Sequence, residues 1–130
     1  MTGKPKLGSR ELALYAAQLV AEKKAHDVQL LEVGQVSIIA DYFLLATGTS
    51  SIQVHSLVDH LIENLKKEGY YALHIEGSRE SWWVVLDYGS LMIHLFQPEA
   101  REFYNLERLW CEAPQVDIGN QAGSPLRSGD

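Results

Sequence analysis

Residues 42–69, with the sequence YFLLATGTSSIQVHSLVDHLIENLKKEG, contain the elements that decide the fold. The first six residues are almost all apolar and predict a strand, which ends at Gly48. Ser50 or Ser51 then caps a helix. The apolar residues of this helix recur at helical spacing and form one stripe: Val54, Leu57, Val58, Leu61, Ile62 and Leu65. Because Gly69 stands where a C′ residue is expected, the pattern predicts a strand, a tight turn and a complete amphipathic helix.

Apolar patterns on either side of this unit predict the remaining elements of one α/β domain. A first helix begins at Ser9, a typical N-cap residue, and runs to about Lys24. Further strands are predicted at residues 28–33, 71–76, 82–87 and 91–96. Pro98 fits the first position of a last helix, and residues 99–110 continue it or divide into two short helices. The order αββαβββα predicts a mixed five-stranded sheet with the two long helices on one face.

Both ends of the chain are predicted to be disordered, which leaves residues 9–112 as the folded domain. Residues 1–8 are small, basic and polar, and residues 113–130 are rich in Gly, Pro, Ser and Asp with almost nothing to bury. Cys111 is the single cysteine and cannot form an intramolecular disulfide. Since the sequence shows no apolar run of roughly 18 residues and no signal peptide, a cytoplasmic protein without a membrane partner is predicted.

The charge pattern favours a basic protein partner over a nucleic acid. The formal net charge is −6, and residues 76–112 hold seven acidic residues against three arginines. Basic residues are clustered only in the pairs Lys23-Lys24 and Lys66-Lys67, whereas dense phosphate contact needs extended basic patches. If the protein acts on a ribonucleoprotein, we expect it to contact the basic protein component, with little or no direct nucleic-acid contact.

Residues 82–96, WWVVLDYGSLMIHLF, predict a β-hairpin with apolar side chains on both faces. Its turn is at residues 87–90, where Gly89 is free to take a positive φ. Strand alternation places Trp82 on one face and Trp83 on the other. The face of Trp83 also carries Val85, Asp87, Met92, His94 and Phe96. A sheet with helices on one side needs only one apolar face, so either the last helix or a partner is expected to cover the second.

Two sequence patterns could indicate enzyme chemistry, but for both of them a structural interpretation is favoured. Residues 46–50, ATGTS, join a strand to a helix, a setting in which backbone N–H groups can hold a phosphate. A nucleotidyltransferase would also need closely spaced carboxylates for Mg²⁺, and the third strand offers only Glu76, followed by Glu80 beyond the turn. A tight turn with an N-cap is therefore favoured. The five histidines include no i, i+4 pair, and His94 is expected to be a hydrogen-bonded core residue, so neither a metal nor a cofactor is predicted.

An ordered set of segments resembles the Iojap family, the bacterial and organellar ribosomal silencing factors (RsfS). The matching segments are residues 40–43 (ADYF), 46–50 (ATGTS), 53–54 (QV), 76–77 (EG), Trp83, 86–89 (LDYG), 94–96 (HLF), 101–104 (REFY), 106–107 (LE) and 109–110 (LW). Each segment alone would be weak, but their order and spacing are specific to the family. Glu32 departs from a favoured Asp and Trp82 is an additional indole. Ile52 replaces a frequent Arg, which argues against a polar role for the start of the second helix.

The resemblance implies a fold related to minimal nucleotidyltransferases without their metal-binding carboxylates, and a binding protein that is not an enzyme. It implies binding to a protein of the large ribosomal subunit at the inter-subunit face, so that the small subunit cannot join and translation is repressed. A homodimer is expected off the ribosome. The family's docking surface centres on the fourth-strand tryptophan and the apolar residue of the hairpin turn, here Trp83 and Tyr88. We add their hairpin neighbours as predicted partner-binding residues: Val85, Asp87, Gly89 and Met92.

The two adjacent tryptophans are predicted to have different roles. Trp82 is expected to face the helices, so Trp82→Ala should leave a cavity and destabilise the fold by roughly 3–5 kcal/mol. Trp83 is expected to face outward, so Trp83→Ala should weaken binding to the large subunit by about 30-fold and preserve the fold. Two alternatives remain open: nucleotide binding at Gly48, and self-association of the free protein through the face of Trp83.

Overall fold

The computed structural model describes residues 8–35, 37, 40–77, 83–100 and 113–118. Within them the chain forms two long helices and five strands: α1 (Ser9–Glu22), β1 (His26–Glu32), β2 (Tyr42–Thr47), α2 (Ser51–Lys67), β3 (His74–Glu76), β4 (Trp83–Asp87) and β5 (Leu91–Phe96). Residues 98–100 begin a further helix, and the rest of the predicted last helix lies outside the described residues. Up to that point the predicted order of elements is confirmed. None of the described helices has both the length and the apolar character needed to cross a membrane.

The strands form one mixed sheet in the order β1-β2-β5-β4-β3. β2 and β5 run parallel, and the other neighbouring pairs are antiparallel. The predicted mixed five-stranded sheet is therefore confirmed. β4 and β5 form the predicted hairpin, in which Gly89 has φ +84° and its N–H donates to Asp87 Oδ1 at 2.8 Å. A side chain at position 89 would strain this turn, because L residues disfavour positive φ.

Both helices pack on one face of the sheet and enclose the main core, as predicted. α1 contributes small residues that allow close approach to the sheet, among them Ala13, Ala16 and Ala17, which are fully buried. α2 contributes the predicted apolar stripe, of which Val54, Leu57, Leu61 and Leu65 are buried. Burial of one such leucine stabilises the fold by roughly 1.5–3 kcal/mol. Ser50 is the N-cap of α2, since its side chain accepts a hydrogen bond from the Gln53 N–H at 3.1 Å.

Several predicted boundaries differ from those of the structure. Gly8, predicted to belong to a disordered extension, is the N-cap residue of α1; Ser9 is the first helical residue, and no side chain caps this helix. β1 begins at His26 instead of residue 28, with an irregular register around Asp27 at φ +48°. β3 begins three residues later than predicted, because side-chain alternation alone does not separate a strand from the extended chain before it. Trp82 lies outside the described residues, so its predicted orientation stays a prediction.

Residues 113–118 belong to the folded domain, so the prediction that the fold ends at residue 112 is wrong. Ala113 and Val116 are buried, and Ile118 packs against the main core. These few apolar residues are isolated among polar ones and show no periodicity, which is why the sequence pattern did not reveal them. The predicted disorder of residues 1–7 and 119–130 lies outside the described part of the chain.

The same segment closes the outer edge of the sheet. The Glu32 N–H donates to Pro114 O at 2.8 Å, and the Val116 N–H donates to Leu30 O at 2.7 Å. An open sheet edge exposes unpaired backbone groups that can pair with other chains. The segment therefore protects β1, and the folded domain extends to at least residue 118.

Candidate docking surface

The face of the sheet opposite the helices is covered over β2 and β5 and partly exposed over β4 and β3. Phe43 and Leu45 of β2 are 1% exposed, and Phe96 of β5 is fully buried. They pack with Ala100 and Ala113, from the chain that follows the sheet. On β4, however, the residues of this face are partly exposed, and on β3 every residue is exposed. The chain therefore covers this face over β1, β2 and β5 and leaves it partly exposed over β4 and β3. Covering of the exposed part by a partner stays a prediction.

Most of the predicted partner-binding residues lie on β4 or beside it on β5, where this face is partly exposed. They are Trp83, Val85, Asp87 and Met92, all partly exposed. Asp87 and Met92 are directly opposite each other in the β4–β5 pairing. Val84 and Leu86, which alternate with them, are buried in the main core beneath the helices. The predicted register of β4 is therefore confirmed.

β3 adds His74 and Glu76 to this face, and the sequence-based prediction missed both. His74 pairs with Asp87 and Glu76 pairs with Val85 in the antiparallel register of β3 and β4. Both side chains are exposed, and His74 Nε2 and Glu76 Oε2 are hydrogen-bonded to each other. Strand alternation places them on a common face, but only the pairing register shows which face it is. We name the following residues the outer strip: His74, Glu76, Trp83, Val85, Asp87 and Met92.

Tyr88 and Gly89, at the hairpin turn, do not lie on the outer strip. Tyr88 is 8% exposed and belongs to the main core on the helix side, and burial raises the pKa of its hydroxyl to about 12. It lies beyond the end of β4, roughly 16 Å from Trp83 along the strand and on the opposite face. Gly89 instead shapes the turn with Asp87. The structure does not bring Tyr88 and Trp83 together, so a partner contact by Tyr88 rests on the family resemblance alone.

Trp83 rests on aromatic neighbours of β5. Its indole Nε1–H donates to His94 Nδ1 at 3.3 Å, and its ring centroid is 6.3 Å from that of Phe96. Phe43 also contacts His94, with ring centroids 4.8 Å apart. Burial lowers the pKa of His94 to about 4, so the imidazole is neutral at pH 7. The prediction that His94 is a hydrogen-bonded core residue is confirmed.

Comparison with known proteins identifies the family of this domain. The family described as ribosomal silencing factor during starvation matches residues 6–128. The chain belongs to the ribosomal silencing factor family. The ribosomal silencing factor of Halalkalibacterium halodurans is 35% identical over 112 residues, which cover 86% of this chain and 96% of that protein. The mitochondrial assembly of ribosomal large subunit protein 1 of Mus musculus is 36% identical over 95 residues, which cover 71% of this chain and 42% of that protein.

The fold agrees with this family assignment. A crystal structure of a protein from Chromobacterium violaceum superposes with a TM-score of 0.78 at 26% identity, covering 87% of this chain and 95% of that one. The predicted family membership is thus confirmed by sequence and by fold. The family is ribosome-associated and is named for a regulatory silencing role instead of a catalysed reaction. A relation to nucleotidyltransferases stays a prediction.

In this silencing factor the turn between β2 and α2 is occupied by its own side chains. Thr49 donates to Gln53 Oε1 from its N–H at 2.7 Å and from its hydroxyl at 2.9 Å. Gln53 Nε2 in turn donates to Lys23 O at 3.2 Å and to Lys24 O at 3.1 Å. A Cβ at Gly48 would lie 2.9 Å from the nearest side-chain atom of α2. Because a backbone N–H that a phosphate would need is already used, the turn supports the structural interpretation over nucleotide binding.

The histidines of α2 contact carboxylates. His55 Nε2 is 3.4 Å from Asp59 Oδ2, and His60 Nε2 is 2.9 Å from Glu22 Oε1 on α1. In the part of the chain that the structure describes, no three His, Cys, Asp or Glu residues come together as metal ligands.

Proposed function

We propose that this silencing factor binds a basic protein of the large ribosomal subunit through the outer strip, and that it thereby prevents the small subunit from joining. The observation that carries the proposal is the partly exposed indole of Trp83, between the covered and the open parts of the sheet. Large aromatic side chains in such positions supply much of the binding energy of protein interfaces. A protein that represses translation by occupying the surface where the small subunit joins needs no catalysed reaction, in keeping with a family named for silencing.

The charges of the outer strip favour a basic partner. Glu76 and Asp87 lie on the same face of neighbouring strands, in a chain with a formal net charge of −6. Complementary charges speed encounter with a basic surface and disfavour contact with phosphate groups. The choice of the large subunit is supported by the mouse relative, whose name refers to assembly of that subunit.

Trp83→Ala tests the proposed surface directly. Truncation of a central interface tryptophan costs roughly 2–4 kcal/mol, so binding should weaken by about 30-fold or more. The wild-type protein should sediment with purified large ribosomal subunits and reduce the amount of joined ribosomes, and the variant should do neither. Ile52→Ala is the matched control, because Ile52 is 80% exposed on a helix at the other face of the sheet.

The outcomes of this experiment separate binding from folding. Trp83→Ala should remain folded by circular dichroism. It should lose some stability, because part of the indole packs on the buried residues of the covered part of this face, among them Phe43 and Phe96. Unchanged binding of the folded variant would show that the outer strip is not the docking surface. Sedimentation of the wild-type protein with the small subunit would show that the proposed partner is wrong.

The hairpin turn is part of the proposal through the family resemblance. Because Tyr88 is buried, Tyr88→Ala would confuse unfolding with loss of binding. Tyr88→Phe keeps the ring in the core and removes only the hydroxyl. Weaker binding of a folded Tyr88→Phe variant would show that this buried hydroxyl contributes to docking. Unchanged binding would limit Tyr88 to support of the hairpin.

We also propose that a second copy of the chain covers the outer strip in the free protein. A symmetric contact between two such strips would bury Trp83 on both sides. Dimer formation would then compete with docking for one surface. Light scattering over a dilution series should show a dimer that dissociates, and Trp83→Ala should shift it toward the monomer. A strict monomer at high micromolar concentration would exclude this dimer.

A further inference from the structure

His94 lies on β5 directly beside the outer strip, on the same face of the sheet. It is 9% exposed and stands between Leu45 of β2 and Val85 of β4 in the strand register. A buried imidazole costs free energy unless its nitrogen atoms are hydrogen-bonded. His94 has such a bond at Nδ1, from the indole N–H of Trp83 at 3.3 Å.

This bond determines which nitrogen of His94 carries the proton. An indole N–H can only donate, so Nδ1 must present a lone pair and the proton of the neutral ring must be on Nε2. Nε2 is buried and has no hydrogen-bond partner among the described residues. A buried donor without a partner is destabilising, and an apolar side chain at this position would avoid that cost. Stability therefore does not account for a histidine at position 94.

We propose that His94 is a positioning residue that fixes the orientation of the Trp83 indole on the outer strip, an inference that rests on the docking function proposed above. A partly exposed indole held only by apolar contacts can adopt more than one rotamer. The bond to His94 selects the orientation in which the indole also meets Phe96 edge-on, at an interplanar angle of 72°. A ring ordered before binding loses less conformational freedom on binding, so the partner is held more tightly.

The surroundings of His94 keep its imidazole neutral. The described residues around it are not titratable: Phe43, Leu45, Trp83 and Val85. Among the residues that the structure describes, the titratable groups on the same face are Asp87 on β4, diagonal to His94, and His74 and Glu76 on β3, on the far side of β4. Burial among apolar groups disfavours the imidazolium form, so Nδ1 remains an acceptor for Trp83 at neutral pH.

A matched pair of variants separates positioning from packing. His94→Asn places an amide oxygen near the position of Nδ1 and can accept the indole hydrogen bond. His94→Phe fills the space of the ring but cannot accept it. We expect His94→Phe to bind purified large ribosomal subunits about five-fold more weakly than the wild type, the usual contribution of one neutral hydrogen bond. His94→Asn should retain most of the binding. A loss due to packing alone would be at least as large for His94→Asn, because the smaller side chain leaves a cavity.

The NMR signal of the Trp83 indole N–H reports the same bond in the absence of the ribosomal partner. In protein labelled with ¹⁵N-tryptophan, the signal of Trp83 is the one that disappears in Trp83→Phe. It should shift and exchange faster with water in His94→Phe, and it should stay close to its wild-type position in His94→Asn. Trp83→Phe removes the bond from the other side, so adding His94→Phe to it should not weaken binding further.

The inference is overturned if His94→Phe leaves the indole signal unchanged, or if the two His94 variants bind equally well. If the wild-type protein does not bind large subunits, the proposed function fails and the docking role of His94 fails with it, although the indole signal still shows whether the bond forms. If His94→Phe does not fold, Trp83→Phe carries the test. A folded Trp83→Phe variant with wild-type binding would then overturn the inference.

Discussion

Acidification should destabilise this protein through a single buried imidazole. Burial lowers the pKa of His94 from 6.5 to about 4 in the folded chain, whereas the exposed side chain of the unfolded chain has the ordinary value. Between these two values the unfolded state binds a proton that the folded state does not bind. The free energy of unfolding is therefore fully retained above pH 6.5 and falls as the pH decreases from 6.5 toward 4.

The size of this effect follows from the two pKa values. They differ by about 2.5 (6.5 − 4), and each pKa unit corresponds to about 1.4 kcal/mol, so the full effect is about 3 kcal/mol. About 2 kcal/mol of it should be lost between neutral pH and about pH 4.5. This loss is a large share of the roughly 5–15 kcal/mol by which small domains are stable.

Urea unfolding of the wild-type protein and of His94→Asn across this pH range measures the effect. Asparagine does not titrate, and the carboxylates that both proteins share cancel in the difference. Near the middle of the range, the free energy of unfolding of the wild type should fall by about 1 kcal/mol more per pH unit than that of the variant. Parallel pH dependences would refute the reasoning, because they would show that the folded chain protonates His94 as readily as the unfolded one.

Three further substitutions test the packing around the sheet. Val116→Ala removes buried carbon atoms at the edge of β1 and should lower the free energy of unfolding in urea by about 2 kcal/mol. The control Gln115→Ala, at an exposed neighbour, should change it by less than about 0.5 kcal/mol. Gly48→Ala would force a Cβ to within 2.9 Å of α2, so it should lower the free energy of unfolding by about 1–3 kcal/mol. A Tm equal to that of the wild type would show that this turn is loosely packed. Gln53→Ala should cost about 1–2 kcal/mol. Gln53→Glu should cost at least as much, because it keeps the acceptor for Thr49 but turns a carboxylate oxygen toward the carbonyls of Lys23 and Lys24; a higher Tm for Gln53→Glu than for Gln53→Ala would contradict this assignment of the amide.

The central elements of the fold could be predicted from residues that are close in sequence. β2 and β5 have their predicted bounds, and Ser50 caps α2 as one of the two predicted serines. Apolar periodicity and capping depend on neighbours within a few positions, so a single sequence contains this information. The same alternation separated the two faces of β4 and placed Trp83 away from the helices. The set of family motifs, also visible in the sequence, predicted the family that the comparisons confirm.

The accessibility of the predicted site was decided only by contacts between distant parts of the chain. Tyr88 was predicted to contact a partner from its turn, yet it is buried beneath the helix side of the sheet. His74 and Glu76 join the outer strip because β3 pairs with β4 in one particular register. The bond from Trp83 to His94 links residues 11 positions apart across the hairpin.

The physical reason is that alternation gives the direction of a side chain but not what lies in that direction. Along β4 the sequence alone determined which residues point away from the helices. Whether such a residue is covered depends on segments such as 113–118, whose two hydrogen bonds to β1 join parts of the chain about 80 residues apart. Burial and pairing register are properties of the assembled sheet, so only the tertiary structure could divide its second face into a covered core and an open strip.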